Sequence, residues 1–191
     1  MGPFDNGGSR RRTMTTSSFA FRDGFNGLRD AFETDRETAK ATFSATSRQI
    51  AGLHSRVNTR NFFLDVDEPE ALGGTDKGPN PVELVLAALA SCQEITYRLY
   101  ADRLGIPIDG VSVHLDGDID LSGFTAANED VRPGFTAIRG SVDIDSPAPL
   151  EDLERLKATV DRYCPVLDII GGETPVSLEI TPAAVHISAA E

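Results

Sequence analysis

The stretch GGTDKGPNPVELVLAALASC (73–92) decides how this chain reads. It passes from a loop rich in Gly, Asp and Pro into a run of small and apolar residues. Asn80 can cap a helix, and Pro81 suits its first position. Glu83, three residues after Asn80, completes a capping-box variant. With Gly105 and Pro107 as stop signals, the expected helix spans 81–104. Cys92 falls in its middle. At ~100° per residue it shares a face with Val85, Ala88, Leu89, Ile95, Thr96 and Leu99, and that face is apolar.

Downstream, residues 109–121 alternate through Val111, Val113, Leu115, Ile119 and Leu121, the pattern of a half-buried strand. A loop is expected over 122–134 and a second strand over 135–145. Residues 146–164 read as a helix from a Ser/Pro cap, with Leu150, Leu153, Leu156 and Val160 on one stripe and Cys164 close to it. A last strand is expected over 176–187. Both cysteines therefore face core on helices that could pack together.

Upstream, 41–50 and 53–66 form a hairpin candidate around Ala51-Gly52. If 53–66 is one strand, Phe62, Leu64 and Val66 share a face with Arg56 and Arg60. Inward arginines call for a partner or a function. Residues 1–24 read as a disordered tail, with Met14 an alternative start, and 25–40 as a short surface helix. Residues 41–191 make one domain. The order β-β-α-β-β-α-β indicates an α+β class with mostly antiparallel strands.

Composition narrows the function classes. The chain has 191 residues, net charge −12 and pI ≈ 4.6, which argues against nucleic acid as a partner. No apolar run reaches the ~18 residues needed to span a membrane. SRRR (9–12) lacks the hydrophobic segment of a twin-arginine signal. Two cysteines do not make a secreted disulfide scaffold, so a cytoplasmic protein is expected. His54, His114 and His186 are too scattered for a zinc site, and no phosphate-loop string is present, so no metal or bound cofactor is expected.

The motif GGTDKGPNPVELVLAALASC (73–92), the later CPV (164–166) and the stretch RNFFLDVDEPEALGG (60–74) resemble the osmotically inducible protein C / organic hydroperoxide resistance (OsmC/Ohr) family, in its general OsmC-like branch. The resemblance covers roughly 41–181. It implies an intertwined α+β homodimer with mostly antiparallel sheets on two core helices and two sites at the subunit interface. It further implies a stress-response thiol peroxidase acting on organic hydroperoxides and recycled by a dithiol reductant. Cys92 would attack the peroxide and Cys164 would resolve the product as an intramolecular disulfide.

The family also uses an arginine and a glutamate. Arg60 fits the pattern of the OsmC-like branch, and Arg56 lies nearer the hairpin turn. The family glutamate sits ten residues before the cysteine, where this chain has Val82; Glu83 is nine before. On one helix that places Glu83 on the face opposite Cys92 and ~13 Å away along the axis. It therefore serves the partner's site or caps its own helix. A cation is needed because an ordinary thiol near pKa 8.5 is only a few per cent ionised at neutral pH. One charge at ~4 Å and an effective dielectric of ~20 supplies roughly 4 kcal/mol, against ~1.4 kcal/mol per pKa unit. Two other readings stay open: a non-catalytic dimer binding a small apolar ligand, and a thiol-based oxidant sensor.

Overall fold

The computed structural model describes residues 19–180. Its elements run, in chain order, α1 (Arg22–Thr34), β1 (Thr46–Ala51), β2 (His54–Thr59), β3 (Phe62–Val66), α2 (Pro81–Leu104), β4 (Gly110–Ile119), α3 (Leu121–Phe124), β5 (Phe135–Asp145), α4 (Leu150–Tyr163) and α5 (Pro165–Gly171). Single-turn 3-10 helices occur at Arg36–Ala39 and Glu70–Leu72. The class is α+β with antiparallel sheets.

Helix α2 has the expected bounds, and its ends explain why. Asn80 Oδ1 accepts from the Glu83 N–H at 2.9 Å, while the Glu83 carboxylate accepts from the Asn80 N–H at 2.8 Å. The far end closes at Gly105, whose φ of 72° lies in the left-handed region that glycine enters without steric cost. Among the described residues, no helix is long and apolar enough to cross a membrane.

The core lies where α2 meets α4 and the β4–β5 hairpin. Leu89, Tyr97 and Ala101 of α2 pack with Ile106, Ile108, Leu156, Val160 and Cys164, all buried. The hairpin register sets Val113 opposite Val142 and Leu115 opposite Gly140, so one face of it meets α2. On α4 the stripe narrows to Leu153, Leu156 and Val160. Leu150, placed on that stripe by periodicity, is 70% exposed because it opens the helix, beyond the reach of α2.

The long loop before α2 is organised by Asp67. This buried carboxylate accepts from the Thr75 hydroxyl at 2.6 Å and from the backbone N–H groups of Glu68, Thr75 and Lys77. Those bonds, the Thr75 hydroxyl foremost, pull its pKa down to about 2. A Cβ at Gly74 would overlap the Glu68 carbonyl, and one at Gly78 the Asp65 carbonyl. The loop therefore folds tightly and delivers Asn80 in capping position.

Four expectations need correction. The run 53–66 is two strands, not one: the chain reverses at Arg60-Asn61, with Arg60 at φ 54°, so Arg56 and Arg60 share no strand face. Helix α1 begins at Arg22, inside the expected tail, because Phe21 and Arg22 are tied to Asp102; residues 1–18 lie outside the described residues. The loop after β4 contains the short helix α3, capped by Asp120 accepting from the Ser122 N–H at 2.9 Å. Residues 174–180 form no strand, leaving Val176, Leu178 and Ile180 strongly exposed, and the rest of the expected strand lies outside the described residues.

Within one chain the sheet β1–β2–β3 makes no substantial packing contact with the helices. Apolar side chains on both its faces are exposed, among them Phe62, Phe63 and Leu64. Val85 and Ile95, on the Cys92 side of α2, are exposed as well.

Candidate active site

Cys92 is half-buried in the middle of α2. Cys164 stands at the junction of α4 and α5, with φ −74° and ψ 113°. Its N–H continues α4 by donating to the Val160 carbonyl at 2.9 Å, and its carbonyl opens α5 by accepting from the Asp168 N–H at 3.1 Å. Pro165 causes the break: it has no N–H to extend α4 and suits the first position of α5. The kink fixes Cys164 facing α2 at 1% exposure.

The two sulfurs are 3.4 Å apart, and both cysteines are free thiols. A disulfide needs about 2.05 Å, so small side-chain rotations suffice to join them. Burial pushes the Cys164 thiol up from its ordinary value; backbone N–H groups of Leu167 and Val166 oppose this, and the neighbouring Cys92 adds to it. Cys92 is the more accessible of the pair. A half-buried thiol beside a sealed one is an asymmetric arrangement suited to one attacking and one resolving group.

Aromatic packing braces this junction. Tyr163 stacks on Tyr100 with ring centroids 5.3 Å apart, and Phe25 of α1 meets Tyr100 edge-on at 5.4 Å. The buried Asp102 carboxylate accepts from the Phe21 N–H at 2.8 Å, and its backbone carbonyl accepts from Arg22 Nε at 2.7 Å. Helix α1 is thereby held against α2.

The expected supporting shell is not assembled around the thiols within one chain. Arg56 pairs with Asp65, Nε to Oδ1 at 3.0 Å and Nη2 to Oδ2 at 3.3 Å. His54 Nε2 lies 3.0 Å from the same Oδ1. His54 first and then Arg56 hold the Asp65 carboxyl below its usual value. Arg60 lies over the Phe62 ring at 5.1 Å. Glu83 is exposed and caps its helix. Of the five residues singled out in the sequence, the structure joins Cys92 and Cys164 and leaves Arg56, Arg60 and Glu83 elsewhere.

Sequence reading overlooked Asp67, Asp102 and helix α5. Asp67 had a signal, an acidic residue opening a loop with several Gly and Thr positions. Pro165 also had one, since a proline can start a helix as well as end one.

Residues 74–179 match the sequence profile of the OsmC-like protein family. An OsmC-like protein of Mycoplasma pneumoniae has a similar fold, with TM-score 0.62 and 20% identity, over 70% of this chain and 89% of that one. An organic hydroperoxide resistance protein of Legionella pneumophila aligns at TM-score 0.55 and 24% identity, covering 69% and 90% of the two chains. One from Elizabethkingia anophelis, solved with thiocyanate bound, aligns at 0.56 and 21%, covering 70% and 90%. No curated protein sequence matches the chain. The profile spans more than half of the sequence and includes both thiols and the capped helix between loop and hairpin, so the chain belongs to the OsmC-like protein family.

Proposed function

We propose that this protein is a homodimeric, cysteine-dependent peroxidase that reduces organic hydroperoxides in the cytoplasm. The observation that carries the reading is the 3.4 Å contact between an accessible and a buried thiol. Two of the similar structures are of proteins named for organic hydroperoxide resistance, which supports the substrate class.

The chemistry balances with these two residues and an external dithiol. The Cys92 thiolate attacks the terminal peroxide oxygen, the O–O bond breaks, and the alkoxide leaves as the alcohol after taking a proton. Cys92 is then a sulfenic acid. The Cys164 thiol attacks that sulfur, water departs, and a Cys92–Cys164 disulfide remains. A dithiol reductant returns both thiols and is itself oxidised to a disulfide. No bound metal or cofactor enters the cycle.

The second copy supplies what one chain lacks. The uncovered β1–β3 sheet and the exposed Val85 and Ile95 are apolar surfaces of the kind a subunit interface buries. In this reading Arg60 or Arg56 reaches the partner's Cys92 from that sheet, and Glu83 orients the arginine. A cation worth one pKa unit changes the thiolate fraction about tenfold, so replacing the active arginine with Met lowers turnover by at least that factor.

The test treats reduced protein with cumene hydroperoxide and maps its thiols by mass spectrometry. The expected product is the Cys92–Cys164 disulfide, with turnover lost in Cys92→Ser. Full turnover in Cys92→Ser without that disulfide would sink the proposal.

A further inference from the structure

The thiol pair leaves a second set of polar groups without a role. Gln93 follows Cys92, and Tyr97 lies one turn further along α2; they are 7% and 1% exposed. Neither side chain hydrogen-bonds to another described residue. Polar groups this deeply buried are ordinarily paired, and leaving one unpaired costs about 1–3 kcal/mol. Among the described residues, the only polar side-chain atom that is both sealed from solvent and unbonded is Asp102 Oδ1. Gln93 and Tyr97 differ from it because both line a cavity.

That cavity, about 350 Å³ in volume, lies between α2, the β4–β5 hairpin, α4 and α5. Leu89, Val113, Leu115, Ile138, Leu167 and Ile170 give it apolar walls. A space in the range of small-ligand sites, mostly apolar with a few convergent polar groups, is the general form of a binding pocket. Gln93 can donate and accept. Burial, reinforced by Asp161, pushes the Tyr97 hydroxyl up to about 12, so it remains a donor.

The charges at the rim decide the ligand class. Lys157 is paired with Asp161 at 2.5 Å, and Arg139 is paired with Asp118. Each cation already has its carboxylate, so an anionic ligand gains no free counter-charge. We propose that this cavity binds a neutral apolar molecule carrying one hydrogen-bonding oxygen, which Gln93 and Tyr97 hold. The site is separate from the thiol chemistry, although Leu167 contributes its backbone N–H to Cys164 and its side chain to the cavity wall.

The test titrates the full-length Cys92→Ser protein with 1-octanol and, separately, octanoate, followed by NMR, so that turnover plays no part. Saturable octanol binding is expected, with octanoate clearly weaker. Tyr97→Phe and Gln93→Leu should each weaken octanol binding about fivefold, the effect of one neutral hydrogen bond. Neither should lower the thermal midpoint without ligand, because each removes a buried polar group that has no protein partner. Three results would overturn the proposal: no saturable octanol binding, including the case where a second copy or the chain's own C-terminal stretch fills the cavity; octanoate binding as tightly as octanol; or both variants keeping wild-type affinity. Marked thermal destabilisation of both ligand-free variants would also overturn it, since it would assign these side chains to holding the fold.

Discussion

The molecule has a closed half and an open half. In the closed half, α2, α4 and the β4–β5 hairpin bury Tyr97, Leu156 and Val160 almost completely and hold two thiols in contact. In the open half, the β1–β3 sheet is hydrogen-bonded along its strands, with one irregularity between Gln49 and Ala51, yet leaves Phe62 at 62% and Phe63 at 69% exposure. Hydrogen bonding alone therefore makes a sheet without making a core. A sheet needs an apolar covering to be stable by itself. The closed half fixes which residues meet, and the open half is available to contact another chain.

Substitutions can break this contrast or sharpen it. The largest effect is expected in the closed half, where Leu156→Ala removes a side chain with no exposed surface. It should cost about 2–5 kcal/mol by denaturant titration. Phe63→Ser tests the open half. If the sheet stayed uncovered, this change would cost no more than about 0.5 kcal/mol, as surface changes usually do. Burial against a second copy makes the loss larger and dependent on protein concentration, and sedimentation should then show a shift toward monomer. A concentration-independent loss as large as that of Leu156→Ala would erase the distinction between the halves.

Smaller effects are expected in the loop that joins the halves and leads into α2. Asn80→Ala removes the cap and should cost about 1 kcal/mol. Asp67 sets a pH dependence. Its folded pKa of about 2 lies below the ordinary 3.8, so its stabilisation is present above about 3.8 and is lost as pH falls toward 2. Asp67→Asn should flatten that acid limb of the stability profile and leave neutral-pH cooperativity intact. Unchanged acid sensitivity would assign the limb to other carboxylates, such as Asp65.

What could be read from the sequence follows the same division. Helix α2 was legible to the residue because its start and stop are local signals, a capping box and a glycine. The burial of Cys164 was legible because helical periodicity holds without knowledge of partners, whereas Cys92 is only half-buried and Val85 and Ile95 on its side of α2 are exposed. The reversal at Arg60-Asn61 was not, since a two-residue turn without Gly or Pro sits inside an alternating run. That single reversal undid the parity argument for Arg56 and Arg60. The alternation of Val176, Leu178 and Ile180 suggested a strand, but alternation shows only that one face could be covered. In the described residues nothing covers it.

The unequal exposure of the two sulfurs has a consequence for recycling. In the proposed cycle an incoming reductant would approach the Cys92 sulfur, because Cys164 is buried at the α4–α5 junction. In that proposal shape sets the regiochemistry: the mixed disulfide would form on Cys92, with Cys164 as the leaving group in a setting that disfavours its anion. Under the same proposal, replacing Cys164 with Ser should leave the oxidised protein open to capture by its reductant at a single sulfur.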